Sequence, residues 1–268
     1  MNTENTSTKS SGIMVDTDHL IRKVLIICII IELSLFIADA IFTYAGVIDI
    51  RSIKRFFNMA REDGLGSLLA VIQTLLLSLT LWLIVLTHKA KDIRPVIRYG
   101  WVFLAVFFTY LTLDDGAEIH ERLGTVYRIM SEQSPADGLL HLFPSYPWQV
   151  LFLPVFAVIG LYMLWFLWTN FENQADFRLV FGGLIMYAIA VSLDFIEGLD
   201  KNHALNVHEW LRSKFDLRPY TVRHFGKTME ETIEMFGTTL IWLAFLRHFM
   251  RQNTCFQINF VQSSLMKK

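Results

Sequence analysis

Charged residues are scarce in this sequence and unevenly distributed. Asp, Glu, Lys and Arg make up 18% of the 268 residues, whereas a soluble domain has about a quarter. Hydrophobic residues make up 53%, and long stretches of the chain have almost no charge. This composition argues against an ordinary soluble domain and predicts that much of the chain lies in a membrane.

Cysteine is rare, and neither sign of charge is in excess. The two cysteines are Cys28, in the first apolar run, and Cys255, near the C-terminus. We expect them to lie far apart, so the sequence predicts no disulfide, and it contains no cysteine metal motif. The net charge of −1 gives the protein no overall positive field. Nucleic acid is therefore not expected as a partner.

The apolar runs predict the fold class. A helix of about 20 residues crosses a hydrocarbon core of ~30 Å, and several runs reach that length. We predict an all-α fold, namely a polytopic transmembrane helical bundle of about six spans. The predicted spans cover about 24–45, 67–86, 101 into 113–124, 148–168, 179–198 and 226–249.

The flanking segments complete the predicted organisation. We expect a disordered N-terminal tail over 1–18, a transmembrane domain over 19–250 and a C-terminal tail over 251–268. Residues 51–66 mix Phe, Ile and Met with Arg and Lys, which is typical of a short interfacial helix. Short loops on the side of the termini contain Lys and Arg close to the spans. This pattern favours cytoplasmic termini in a multi-pass protein of the cell membrane.

Acidic residues collect where spans 3 and 5 end and where spans 2 and 6 begin. An odd-numbered span ends on the side where an even-numbered span begins, so all of these groups share one face of the membrane in either orientation. They are Glu62, Asp63, Asp114, Asp115, Glu118, Glu121, Asp194, Glu197, Glu230, Glu231 and Glu234. His120 and His224 lie in the same segments, and we expect both to join the group.

Helical spacing assigns many of these side chains to three stripes, because residues three, four and seven apart share a helix face. The stripes are Asp114 with Glu118 and Glu121, Asp194 with Glu197, and Glu231 with Glu234, preceded by His224 one heptad before Glu231. Carboxylates that face one another at low dielectric repel strongly. Such a cluster requires neutralising cations or protonated carboxyl groups.

A divalent metal would neutralise this cluster and give it a chemical use. Mixed Asp, Glu and His ligation suits Zn, Fe or Mn better than a soft metal. The candidate metal ligands are Asp114, Asp115, His120, Glu121, Asp194, Glu197, His224, Glu231 and Glu234, and the candidate catalytic groups are Glu118 and Glu230. A metal-bound water would supply a nucleophile near neutral pH.

Ordinary ion pairs are the alternative for part of this set. Glu118 could pair with Arg122 four residues later, and Glu230 and Glu231 could pair with Lys227. Exposed pairs of this kind contribute little to stability and would give the residues no chemical role.

Two further carboxylic acids lie within the first span. Glu32 and Asp39 are seven positions apart and therefore share a helix face. We interpret Glu32 either as a neutral partner in a hydrogen bond between helices or as part of a proton path.

The segments LDDGAEIHERLG and MEETIEMFG resemble motifs in a group of bacterial multi-span membrane proteins without an established activity. The matching positions are Asp114, Asp115, His120, Glu121, Glu197, Glu230, Glu231 and Glu234, with Asp115 where that group has Glu. The resemblance implies a bacterial inner-membrane protein and supports the site, but it implies no reaction.

Three functions fit the sequence. The leading hypothesis is a metal-dependent enzyme that acts on a lipid or a membrane-soluble small molecule. The first alternative is a proton- or cation-coupled transporter or channel in which the carboxylates form a relay. The second is a structural or regulatory membrane subunit whose acidic groups only stabilise the bundle.

Overall fold

The computed structural model describes residues 16–45, 47, 49–90, 94–132, 147–197, 199, 203 and 206–253. Most of the predicted N-terminal tail, Cys255 and most of the C-terminal tail lie outside the described residues. The loop at 133–146 does so as well.

The described residues form nine α-helices and no strand, which confirms the all-α prediction. The helices are α1 (Thr17–Tyr44), α2 (Arg51–Phe57), α3 (Leu65–Ala90), α4 (Pro95–Ala117), α5 (Ile119–Glu132), α6 (Pro147–Asn170), α7 (Gln174–Glu197), α8 (Val207–Phe215) and α9 (Pro219–Gln252). The first helix starts within the tail predicted over 1–18, because Asp16 caps it through Oδ1, which accepts from the backbone N–H groups of Asp18 and His19.

Five of these helices are long and apolar enough to cross a membrane, so the protein is a multi-pass membrane protein. They are α1, α3, α4, α6 and α7. The predicted sixth span corresponds to α9. This helix is long enough to cross a membrane, but it is too polar to be counted with the other five. It packs against α1, α3 and α7. These neighbours shield its polar side chains from lipid, which explains how a helix with so many ionisable groups fits a membrane bundle.

The pair α7 and α9 makes a very close contact at Gly183 and Gly237. A Cβ atom at Gly183 would lie 2.7 Å from the carbonyl oxygen of Gly237 and 2.5 Å from Cγ1 of Ile241. At Gly182, by contrast, a Cβ atom would meet only Cδ1 of Leu240, at 3.6 Å. Small residues therefore let these two backbones touch, as is common between membrane helices.

The apolar core fills the half of the bundle where α4 begins and α9 ends. Trp101 lies at its centre, with its ring centroid 5.4 Å from that of Phe166 and 6.0 Å from that of Phe245. Leu81 and Phe108 are buried in the same cluster. The acidic ends of α4 and α7 lie in the other half, so packing and candidate chemistry occupy different ends of the bundle.

Candidate functional site

The backbone turns sharply at Glu118, which has a φ of 54°. Helix α4 ends at Ala117 and α5 begins at Ile119. The prediction that Asp114, Glu118 and Glu121 form one stripe was therefore wrong, because a left-handed residue interrupts the helical hydrogen-bond pattern between them. Non-glycine residues rarely take this conformation, so the residue type gave little warning of the break.

Asp114 fixes the segment after this turn. Its Oδ1 accepts from the backbone N–H of His120 at 2.8 Å, and its Oδ2 lies 2.8 Å from Nδ1 of the same ring. Asp114 is only 2% exposed. Burial alone would lower the pKa of His120, but the hydrogen bond to Asp114 and the charge of that carboxylate outweigh it and raise the pKa. Asp114 thus orients the imidazole and favours its protonated form.

Three carboxyl groups meet at the rim of this face. Glu62, in the turn between α2 and α3, makes side-chain hydrogen bonds with Glu118 and Glu121. Burial, these hydrogen bonds and the two neighbouring charges raise the pKa of Glu62 to about 8. At neutral pH Glu62 therefore retains a proton, which allows it to donate to a neighbouring carboxylate. Glu118 also forms the predicted ion pair with Arg122, at 3.3 Å.

Lys227 lies among the carboxylates of α9. Its Nζ donates to Oε1 of Glu230 at 2.8 Å and lies 3.4 Å from Oε1 of Glu231. The predicted ion pairs on α9 are thus present, but they are not the exposed pairs that the alternative assumed. Glu230 is only 4% exposed. Its Oε2 is buried and has no hydrogen-bond partner among the described residues.

Carboxyl groups from four helices act on one another around Lys227. The electrostatic interactions join Asp115 of α4 to Glu231, Glu231 to Glu121 and Asp194, and Glu234 to Asp115, Glu230 and Glu231. We call Asp115, Glu121, Asp194, Glu230, Glu231 and Glu234, with Lys227, the acidic cluster. Thr74 of α3 donates to Oδ2 of Asp115 at 3.1 Å and ties this carboxylate to a fifth helix.

Two of the predicted site residues have other partners. Nε2 of His224 lies 3.3 Å from Oδ1 of Asp39, and its Nδ1 lies 2.7 Å from the hydroxyl of Tyr44. His224 thus joins α9 to α1. Glu197 lies 3.5 Å from Nε of Arg223, a cation on another helix that its local sequence did not indicate.

The described residues contain no group of three His, Cys, Asp or Glu side chains arranged to hold a metal ion. The ammonium group of Lys227 neutralises part of the cluster instead. His120 also interacts electrostatically with Asp115 and Glu121. Six carboxyl groups still outnumber these two cationic groups, so further neutralisation must come from protons or from an added cation. The metal stays a prediction.

Glu32 occupies a separate position deeper in the bundle, with no exposed surface. Its Oε1 accepts from Nε2 of Gln73 and from the hydroxyl of Thr239, both at 2.6 Å. Hydrogen bonds to two other helices are what the first interpretation of Glu32 requires. Its Oε2 is buried and has no partner among the described residues.

The polar groups continue from the acidic cluster only part of the way through the bundle. Tyr187 and Thr238 share a hydrogen bond of 2.5 Å next to Glu234 along α9. Beyond these groups and Glu32, the buried polar side chains of α3 carry no acidic group; Ser78, for example, shares a hydrogen bond of 2.8 Å with Thr109, and Phe108 and Phe245 are buried in the apolar core. The arrangement is therefore one-sided.

A family model for a domain of unknown function, DUF8692, matches residues 26–249. The chain belongs to the DUF8692 family. No curated protein and no solved structure matches the chain.

The DUF8692 match begins within α1 and ends within α9. Every member of the acidic cluster lies inside it, as do Glu32, Asp114 and His120. The sequence predicted membership of a family without an established activity, and the DUF8692 match confirms this. The match names no reaction, ligand or partner.

Proposed function

We propose that this DUF8692 protein is a membrane-embedded enzyme that acts from one face of the bilayer on a lipid or another membrane-soluble molecule. The proposal depends on one observation: Lys227 lies 2.8 Å from Glu230 and 3.4 Å from Glu231, and carboxyl groups of α4, α5 and α7 interact electrostatically with Glu231. Their chemistry is proton transfer assisted by a cation.

The charge balance of the acidic cluster supports this role. Six carboxyl groups at low dielectric would carry more negative charge than the ammonium group of Lys227 and the imidazole of His120 could balance. Some must hold protons or bind a cation, and a carboxylic acid that is neutral near pH 7 is a competent general acid. A purely structural cluster would gain nothing from such an excess, because apolar residues would fill the same space at lower cost.

Glu230 is the best-placed acid or base. Lys227 holds its Oε1, whereas its Oε2 has no partner within the described part of the chain. One oxygen therefore fixes the side chain, and the buried second oxygen is the one that would exchange a proton with a substrate entering the site. Glu118 lies at the rim beside Glu62, where it could exchange protons between the cluster and water.

A divalent metal, Zn, Fe or Mn, is the proposed source of the missing positive charge. Asp115, Glu121, Glu231 and Glu234 would supply oxygen ligands, with His120 beside them. The described side chains are not in place for such an ion. Binding would require them to rearrange, for example by the release of Glu231 from Lys227, so the acid–base role does not depend on the metal.

Proton-coupled transport is the second candidate, and Glu32 favours it. A buried carboxylic acid with one oxygen lacking a partner could extend a proton path from the acidic cluster into the membrane. The apolar core around Trp101 and Phe245 argues against a path to the other side. A one-sided site favours chemistry over transport.

Comparison of lipid extracts before and after incubation tests the enzyme. Purified protein in nanodiscs is incubated with a total membrane lipid extract, with added Mn²⁺ or Zn²⁺ or with a chelator, and lipids are compared by mass spectrometry. We expect a lipid consumed by the wild type and a rate lower by about 10²-fold or more in Glu230→Gln. Asp176→Asn is the matched control, because Asp176 is a buried carboxylate paired with Arg247 at the opposite face.

Two outcomes would overturn the proposal. In the first, the wild type and Glu230→Gln leave the extract equally unchanged under every metal condition. In the second, proteoliposomes show a proton flux that Glu32→Gln abolishes, which would establish the transporter instead.

A further inference from the structure

A cavity of about 340 Å³ lies between the end of α1, α2 and the start of α9. Its walls include four cationic side chains and three polar ones. They are Arg51, Lys54, Arg55 and Arg61, with Thr43, Asn58 and Tyr220. The volume is at the lower end of the range typical of small-molecule sites, about 300–1,000 Å³.

Nearby carboxylates neutralise only half of this positive charge. Arg55 and Arg61 share the single carboxylate of Asp63. Hydrogen bonds from the guanidinium groups of Arg61 and Arg55 hold the pKa of Asp63 well below its usual range. Lys54 pairs with Asp49 at 3.0 Å, and the side chain of Asp49 is fully exposed.

Arg51 completes the set, and it makes no ion pair within the described residues. Two positive charges are therefore left over in a concave space. Arginine forks match the oxygens of a phosphate group in geometry as well as in charge. The cavity suits an anion of that kind.

The surroundings of the cavity place it at the membrane surface. Val47, Ile50 and Phe56 are each more than half exposed and lie within or just before α2. Phe57 stacks on Phe42 of α1, with the ring centroids 4.7 Å apart, and so holds α2 against the first span. A short helix with cations beside exposed apolar side chains lies at the boundary of headgroups and acyl chains.

We propose that this cavity binds the phosphate-bearing headgroup of an anionic lipid. Arg51 and Lys54 receive the phosphate oxygens, Thr43 and Tyr220 supply hydroxyl groups for the rest of the headgroup, and the acyl chains lie along the exposed side chains of α2. This inference goes beyond the proposed function, because it would hold even if the acidic cluster catalysed nothing.

A short chain of contacts joins the cavity to the membrane bundle. The ring of Tyr220 stacks on His224 with centroids 5.5 Å apart, and His224 pairs with Asp39. Thr228, next to Lys227 in sequence, donates to the other oxygen of Asp39 at 2.8 Å. A lipid held by its headgroup in the cavity would therefore sit beside the helix that contributes most of the acidic cluster.

Lipid retention measured by native mass spectrometry tests the headgroup site. Protein is titrated with phosphatidylglycerol, with zwitterionic phosphatidylcholine, and separately with inorganic phosphate and glycerol 3-phosphate. The variant Arg51→Gln/Lys54→Gln removes two cavity charges. The control Arg178→Gln/Lys214→Gln removes two exposed charges that do not line the cavity.

We expect the wild type and the control to bind phosphatidylglycerol alike and the cavity variant to bind it about tenfold more weakly. Arg51→Gln alone, which breaks no ion pair of the described chain, should show part of this loss and guards against a folding defect in the double variant. Equal binding by the cavity and control variants would overturn the proposal. So would equal binding of phosphatidylcholine, or phosphate binding without lipid binding.

This outcome is separable from that of the proposed function. Headgroup binding without any consumption of lipid would support the cavity and remove the enzyme. If Arg51→Gln/Lys54→Gln changed neither lipid consumption nor lipid retention, the result would support the enzyme and remove the headgroup site.

Discussion

Asp114 binds His120 through both of its carboxylate oxygens, one at the backbone N–H and one at the ring, each at 2.8 Å. The pair closes the turn at Glu118 and sets the direction in which α5 leaves the bundle. It also joins two of the candidate metal ligands that the sequence predicted at the end of the third span.

Asp114→Asn should lower the pKa of His120. The wild-type pKa is raised because the hydrogen bond and charge of Asp114 exceed the effect of burial. A raised histidine pKa stabilises the fold below the ordinary value of about 6.5, and this contribution is lost as pH rises through the folded pKa. NMR titration of labelled histidines checks the shift. His88, at the opposite face, serves as the internal control, and an unchanged His120 pKa in the variant would contradict the assignment.

Glu62→Gln should flatten the dependence of stability on pH. The folded pKa of Glu62 is about 8, against an ordinary 4.5, so the folded state holds this proton more tightly than the unfolded state. The wild type should therefore lose stability relative to the variant as pH rises from about 4.5 to about 8. Thermal melts in nanodiscs across this range measure the difference. Glu172→Gln, an exposed position in the turn between α6 and α7, should behave as the wild type does.

Lys227→Met should destabilise the protein by about 3 kcal/mol, because it leaves the buried carboxylate of Glu230 and the partly buried carboxylate of Glu231 without their cation. Denaturant unfolding in micelles gives the free energy. Lys214→Met, at an exposed lysine on α8, should change it by less than about 0.5 kcal/mol. If Lys227→Met were as stable as the wild type, the acidic cluster would have to be neutral without this ammonium group.

Gly183→Ala and Gly182→Ala should differ sharply although the positions are adjacent. The first places a methyl group 2.7 Å from the carbonyl oxygen of Gly237, whereas the second meets only a leucine methyl at van der Waals distance. We expect a loss of about 1–3 kcal/mol for Gly183→Ala and close to none for Gly182→Ala. Thermal unfolding of the two variants side by side measures this, and equal stability would contradict the close contact of α7 and α9.

The sequence predicted what depends on length and composition along the chain. The apolar runs located the spans, and the mixture of Phe with Arg and Lys located α2, although this helix ends at Phe57 and the prediction extended to 66. Counting spans also placed the acidic residues at one face without any knowledge of how the helices pack.

The sequence could not predict which side chains pair between helices, because these contacts depend on how each helix is rotated about its axis. His224 and Asp39 are far apart in sequence and meet only because α1 packs against α9. The sequence did not predict the turn at Glu118 for a local reason. A glutamate in the left-handed conformation is uncommon, and the nearest glycine, Gly116, lies two residues before the position that adopts it.

Because the apolar core fills the half of the bundle opposite the acidic cluster, we expect the cluster to be reached from a single compartment. A membrane-impermeant reagent, added to sealed vesicles of uniform orientation, would modify these carboxyl groups when it is outside or when it is trapped inside, but not in both cases. For the proposed enzyme, substrate and product would then approach and leave the acidic cluster on the same side of the membrane, so product would compete with fresh substrate.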